Sequence, residues 1–310
     1  MMLAFMSAMA CAQSPASTPP EATTSASPPA AAETPATVPT TKVTRTPSPS
    51  EELNTLLMHA TFLISGPGTG KDQISFGTVF VMGIPTKNNA KIAHFALVTA
   101  AHVLDGITGD NAFLQLRRKS DDGTYATFKY QLPIRKAGRP IYLKHPTADV
   151  AVMYADLPND VPVTGLPPDM LMTDKTLQEI EVHPGDDAFV LGFPLAISAP
   201  GGFPILRVGH MASYPLTPMA VVKNWRFDLR LFGGNSGGPV YFTYVNRMFK
   251  GQIHLGVAQG ILGLVIAKTF SDIPEFRDKE LDYGVVVPAQ FVRETLDMLP
   301  RPDDVQNSIK

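Results

Sequence analysis

"LFGGNSGGPVYF", residues 231–242, sets Ser236 among four glycines and runs on through Pro239 into a β-branched and aromatic stretch. Residues 234–238 spell G-x-S-x-G, which on a strand–turn–helix would be the nucleophile elbow of an α/β hydrolase. The flanks decide otherwise. "MAVVKNWRFDLRLF" (219–232) before the glycines and "PVYFTYV" (239–245) after them both read as strands, so the serine lies on a turn inside an all-β fold. The elbow also needs an acid and then a histidine downstream. Only His254 follows Ser236, and no Asp or Glu stands between the two. Glycine clusters cost conformational entropy, so a folded domain keeps one where the backbone turns left-handed or something approaches closely.

The same short, β-rich runs extend outward in both directions, from "ATFLIS" (60–65) and "ISFGTVFVMGI" (74–84) to "YGVVVP" (283–288). Punctuated by Gly, Pro, Asn and Asp, they predict an all-β pair of six-stranded antiparallel barrels rather than βαβ units. The expected folded domain covers 51–301, with barrel 1 at 55–160 and barrel 2 at 180–288. The proline-rich loop "DLPNDVPVTGLPPDM" (156–170) is the natural boundary between them. One helix is expected, over 288–299, where Phe291, Val292, Leu296 and Leu299 share a face.

Before residue 51 the grammar changes. Residues 13–50 are nearly all Ala, Pro, Ser and Thr, a composition that cannot bury enough apolar surface to order itself and reads as a linker. Ahead of it, "MMLAFMSAMACAQ" (1–13) is a short run of small and apolar residues with no Lys or Arg. "AMAC" resembles a lipobox ending on Cys11 and "ACA" a signal-peptidase site, so residues 1–12 are expected to direct export. The protein would then be periplasmic, envelope-anchored through a lipidated Cys11, or secreted. The last residues, 302–310, read as a tail.

Composition removes several classes. A formal net charge of −2 with no basic run argues against nucleic acid as a partner. A single cysteine allows neither an internal disulfide nor a CxxC pair, and no HExxH is present, so neither metal nor cofactor is expected. "SGPGTGKD" (65–72) fails as a phosphate-binding loop, since Ser65 stands where the first glycine belongs and Asp72 where a hydroxyl would meet magnesium. It reads as a hairpin turn.

If Ser236 is a nucleophile, its base and the carboxylate that orients that base must come from upstream. His102 in "LVTAAHVLDG" (97–106) follows an apolar β run, at a strand end where a side chain can leave the core. Asp149 in "HPTADVAVMYAD" (145–156) stands at the mouth of a half-buried strand. "TAAHV", "DVAV" and "GGNSGGPV", in that order, resemble the His, Asp and Ser motifs of trypsin-like (chymotrypsin-fold) serine peptidases. "SFGTVFV" (75–81), "VLGFP" (190–194) and "DYGVVVPAQFV" (282–292) extend the resemblance over about 55–300. It implies a cleft between two barrels, with His102 as general base, Asp149 orienting it and Ser236 attacking a peptide carbonyl. The Gly234 and Ser236 N–H groups would form the oxyanion hole.

Asn235 replaces the aspartate of many animal members, as in bacterial HtrA and glutamyl-endopeptidase types, which implies activity without zymogen cleavage. The chain ends too soon after Ser236 for a PDZ module, so none is expected. Resemblance of "FDLRLFGGNSGG" (227–238) to glutamyl endopeptidases would put Arg230 at the base of a specificity pocket, with Ala258 and Gly260 on its wall; the alternative is an Arg230 turned to solvent. The expected partner is a protein or peptide substrate. Two other readings share the motifs: a catalytically silent binding or scaffold protein of the envelope, and a lipid- or carbohydrate-directed hydrolase using the same serine.

Overall fold

The computed structural model of the chain describes residues 52–86, 93–270 and 280–300. The expected export signal with Cys11, the linker to residue 50 and the tail 302–310 lie outside the described residues.

The described chain begins with helix α1 (Leu53–Ala60), whose first turn is capped by Glu52, accepting from the Asn54 and Thr55 N–H groups. Strands β1 (Thr61–Pro67), β2 (Ile74–Pro85) and β3 (Ala93–Thr99) follow, then the five-residue helix α2 (Ala101–Asp105). Next come β4 (Asn111–Lys119), β5 (Tyr125–Pro133), the two-residue strands β6 (Arg135–Lys136), β7 (Arg139–Pro140) and β8 (Leu143–Lys144), and β9 (Ala151–Tyr154). The second half holds α3 (Asp174–Glu179), β10 (Asp187–Gly192), β11 (Ile205–Met211), β12 (Trp225–Asp228), β13 (Pro239–Phe249), β14 (Gln252–Phe270) and β15 (Glu280–Pro288). Helix α4 (Ala289–Asp297) ends the described residues' regular structure.

Two antiparallel β-units result. The first is a seven-stranded sheet ordered β5-β4-β1-β2-β3-β9-β8; the second is a closed barrel, β10-β11-β12-β15-β14-β13. The architecture is a chymotrypsin-like double β-barrel with a C-terminal helix, and the added strand of the first sheet is the two-residue β8. The run 65–72 is a hairpin turn between β1 and β2, closed by Gly68 N–H to Gln73 O at 2.7 Å. Helices α1, α2 and α3, at eight, five and six residues, are too short to leave a periodic signature, and the sequence reading passed over all three.

Two apolar cores explain the stacking of the units. One lies inside the closed barrel around Trp225, Phe227, Val190 and Phe242. The other joins the first sheet to the outer face of the barrel, through Leu191, Tyr241, Leu264 and Val287. The chain then doubles back: Phe291, Val292 and Leu296 of α4 are buried in that second core, with Val150 and Val152 of the first unit. The terminal helix thus covers the first unit although the strand before it belongs to the second.

Arg117, only 2% exposed, ties loop to sheet. One terminal nitrogen donates to Thr61 O (2.9 Å) and Gly202 O (3.0 Å), the other to Met58 O (3.0 Å) and His59 O (3.3 Å), carbonyls in the last turn of α1. Its guanidinium lies between the rings of Phe62 and Phe203, 4.3 and 4.4 Å from their centroids. Burial lowers its pKa to about 10, so the cation persists at neutral pH. Replacing Arg117 with Met takes the donor from two buried and two half-buried carbonyls and should cost about 3 kcal/mol, read as a lower urea midpoint with an unchanged slope.

Candidate active site

The sequence between β3 and β4 turns into helix at Ala101, which carries His102 on α2 rather than at the strand's end as the sequence reading had it. This placement aims both a backbone and a side-chain nitrogen at one carboxylate. The His102 N–H donates to Asp149 Oδ1 at 3.0 Å, and His102 Nδ1 lies 2.5 Å from Asp149 Oδ2. Asp149 sits two residues before β9, which pairs with β3 through Thr99↔Ala151, so sheet register brings the two side chains together. Burial pushes the Asp149 carboxyl up, but the hydrogen bond and charge of His102, with the N–H groups of His102 and Ala101, outweigh it and hold it below its usual value. Held by Asp149, Nδ1 keeps its proton, which leaves Nε2 as the acceptor. Among the described residues Nε2 has no hydrogen-bond partner.

Ser236 comes from the turn between β12 and β13 in the other unit. Its main chain is docked onto β2: Thr78 N–H donates to Ser236 O at 2.8 Å. Thr78 is completely buried, and its hydroxyl donates to Gly234 O (2.7 Å) while accepting from Phe193 N–H (3.2 Å). The Thr78 carbonyl in turn accepts from Thr99 Oγ1 at 2.7 Å, three residues ahead of His102. One threonine therefore supports the Ser236 turn and the segment leading to His102. Space is tight here: a Cβ at Gly77 would lie 2.6 Å from Val103 Cγ1 and 3.2 Å from Ser236 O. Ser236 Oγ reaches Ile266 O at 3.5 Å, the weak limit of a hydrogen bond, and is available to another acceptor.

The glycines of the opening stretch are explained by this docking. Gly234 and Gly237 have φ of +97° and +84°, a region costly for any residue with a Cβ. A Cβ on Gly234 would collide with Phe193 O, and one on Gly237 with Thr78 O. The Gly233 carbonyl accepts from Leu195 N–H at 2.7 Å, so the N–H of the same trans peptide, that of Gly234, points the other way. Among the described residues neither the Gly234 N–H nor the Ser236 N–H finds an acceptor, leaving two donors beside the hydroxyl. Leu195 and Ala196 hold the latch with left-handed φ of 52° and 60°. If Ser236 hydrolyses peptides, Gly234→Ala should lower kcat roughly 100- to 1,000-fold with a smaller change in KM, since its Cβ, forced against Phe193 O, would displace the Gly234 N–H from the developing oxyanion. Steady-state kinetics on a cleavable peptide would check it.

Asn235 is 1% exposed, and Oδ1 accepts from Phe232 N–H at 3.1 Å while Asn235 N–H donates to Phe232 O at 3.1 Å. The residue before the serine is thus held by its own turn. Arg230 is exposed, its guanidinium 5.4 Å from the Phe232 ring. A second arginine, missed in the sequence, flanks the same ring at 5.4 Å: Arg207 on β11, opposite the interior-facing Val190. Arg207 Nε is buried without a partner.

Ala258 and Gly260 are not brought to the serine. They pair with Tyr244 and Phe242 on β13, and a side chain at Gly260 would run into Met172. The segment alongside Ser236 lies further on: Gly237 N–H donates to Val265 O (2.7 Å), Val265 N–H to Gly238 O (2.9 Å), and Ile266 O faces the hydroxyl. Two register shifts between β13 and β14 defeat counting along the strand from a glycine.

No family model and no curated protein matches the chain. Among solved structures, it is similar to the serine endoprotease from Yersinia pestis, at 15% identity and a TM-score of 0.45, covering 84% of this chain and 69% of that one. It is also similar to the active form of the Rv3671c protease from M. tuberculosis, at 17% identity and a TM-score of 0.45, covering 88% and 95%.

Proposed function

We propose that the protein is a serine endopeptidase working through Ser236, His102 and Asp149 and a covalent acyl-enzyme. The observation that carries the reading is the His102–Asp149 pair at 2.5 Å, with Nε2 unpartnered among the described residues, together with a serine turn braced on β2 through Thr78 whose Gly234 and Ser236 N–H groups find no acceptor among those residues. His102 Nε2 takes the proton as Ser236 Oγ bonds to the scissile carbonyl carbon. The carbonyl oxygen becomes negative against the Gly234 and Ser236 N–H groups. Nε2 then returns the proton to the leaving amine as the C–N bond breaks, leaving an ester on Ser236. Water, deprotonated by the same nitrogen, releases the acid and restores the hydroxyl. Throughout, Asp149 stabilises the imidazolium without taking its proton.

Asn235 carries a neutral amide whose Oδ1 accepts from Phe232 N–H and which cannot ion-pair with a new N-terminus, and this supports activity without zymogen cleavage. Arg207 and Arg230 beside Phe232 favour an acidic residue at the position preceding the cut. We also propose export, with Cys11 a lipid anchor and residues 13–50 a tether.

The test is covalent. A fluorophosphonate incubated with the intact protein should add once, and peptide mapping should locate the adduct on Ser236. A folded protein that never labels would instead be a silent binding module. Labelling together with ester hydrolysis, but without cleavage of any peptide library, would mark a hydrolase of another substrate class.

A further inference from the structure

We propose that His145 is a positioning residue for the triad, forming with Glu294 a second, non-catalytic histidine–carboxylate pair that holds the Asp149 loop; the inference rests on the peptidase reading above. The loop between β8 and β9 is closed by His145 N–H to Val150 O at 2.9 Å, with Asp149 near its end. Its interior is filled by the His145 ring, whose side chain is only 7% exposed. Nδ1 accepts from Thr147 N–H (3.2 Å) and Ala148 N–H (3.0 Å), the two residues before Asp149. A ring nitrogen that accepts two N–H groups carries a lone pair, so in the neutral ring the proton resides on Nε2. Nε2 lies 3.0 Å from Glu294 Oε2. That carboxylate stands on α4, where Gln290 donates to its other oxygen at 2.7 Å, and Phe291 meets the imidazole edge-on, centroids 5.1 Å apart.

Glu294 therefore fixes the tautomer that lets Nδ1 hold the loop, as second-sphere carboxylates do for liganding histidines. Of the neighbouring charges, Lys144 is turned to Asp105 and Asp149 to His102, so Glu294 is the charged group facing this ring. A side chain accepting from the N–H groups two and three residues on is what Asn does in an Asx turn. Histidine does this and also reaches α4, which a shorter amide cannot. The terminal helix is thereby coupled to the carboxylate that orients His102.

The experiment compares fluorophosphonate inactivation of the full chain with its His145→Leu, His145→Asn and Glu294→Leu variants, separating kinact from KI. The downfield proton resonance of His102 Nδ1–H reports Asp149 placement without any turnover. His145→Leu should lower kinact roughly 10- to 100-fold, KI changing little, because misplacing a triad group by about 1 Å costs that much. Its His102 resonance should broaden or vanish. His145→Asn, which keeps the acceptor, should recover kinact to within about threefold of the parent, and Glu294→Leu should fall between.

Unchanged kinact and resonance in His145→Leu would overturn the proposal, as would equal damage in His145→Asn. Should His145→Leu fail to fold, an intact resonance and parental kinact in Glu294→Leu would overturn it instead. A parent that shows the resonance but never labels would refute the peptidase reading, while the resonance of the variants would still decide the role of His145.

Discussion

Ser236→Ala is expected to abolish peptide cleavage, lowering kcat by about a million-fold, the size of loss seen when a triad nucleophile is removed. The reason is the absence of a replacement: without Oγ, water must attack directly, helped only by the two amide donors and by substrate binding. KM should move little, since the hydroxyl contributes to bond making rather than to holding the peptide. Stability should be nearly untouched, because among the described residues the one hydrogen bond of Oγ, to Ile266 O at 3.5 Å, is at the weak limit. Kinetics on a purified peptide, with a parallel thermal melt, would check both halves. Residual activity above one part in a thousand would mean that another group is the nucleophile.

Asp149→Asn should lower kcat about ten-thousand-fold at neutral pH. The amide can still face His102, but its NH2 end donates to Nδ1, which drives the ring proton onto Nε2. The nitrogen that should accept from Ser236 is then a donor. The same substitution has a second signature in pH-dependent stability. The Asp149 carboxyl is held below its usual value in the folded protein, so its stabilisation is complete above the ordinary carboxylate range. It is lost as pH falls through the folded value. Asp149→Asn should therefore flatten the acid side of the stability curve while leaving its alkaline side parallel to the parent. Urea unfolding across pH 3–7, an interval set by ordinary carboxylate titration, would measure it.

The parts of the site that were legible in the sequence are those written as local strings. Ser236 among glycines, His102 after an apolar run and Asp149 before an alternating strand each stand in a short motif, and the register Thr99↔Ala151 brings the last two together. What was not legible depends on pairing over long separations. Thr78 reads as one more β-branched residue in "SFGTVFV", and nothing nearby says that its hydroxyl meets Gly234 in the other barrel. Arg207 lies in an unremarkable strand, and only barrel closure turns it inward beside Phe232. Glu294 reads as a polar position on an amphipathic helix until the chain doubles back onto His145. The misplacement of Ala258 and Gly260 has a geometric origin, since bulges shift register without leaving a mark in composition.

Thr78 has one more implication. A hydroxyl and a main chain that brace two loops from opposite halves act as a shared keystone, so slippage between the halves removes the support of the serine and of the imidazole's approach in a single event. If the chain hydrolyses peptides as proposed, a molecule whose halves have loosened would fall silent rather than cut indiscriminately, and hydrolytic power would report intact docking of the halves.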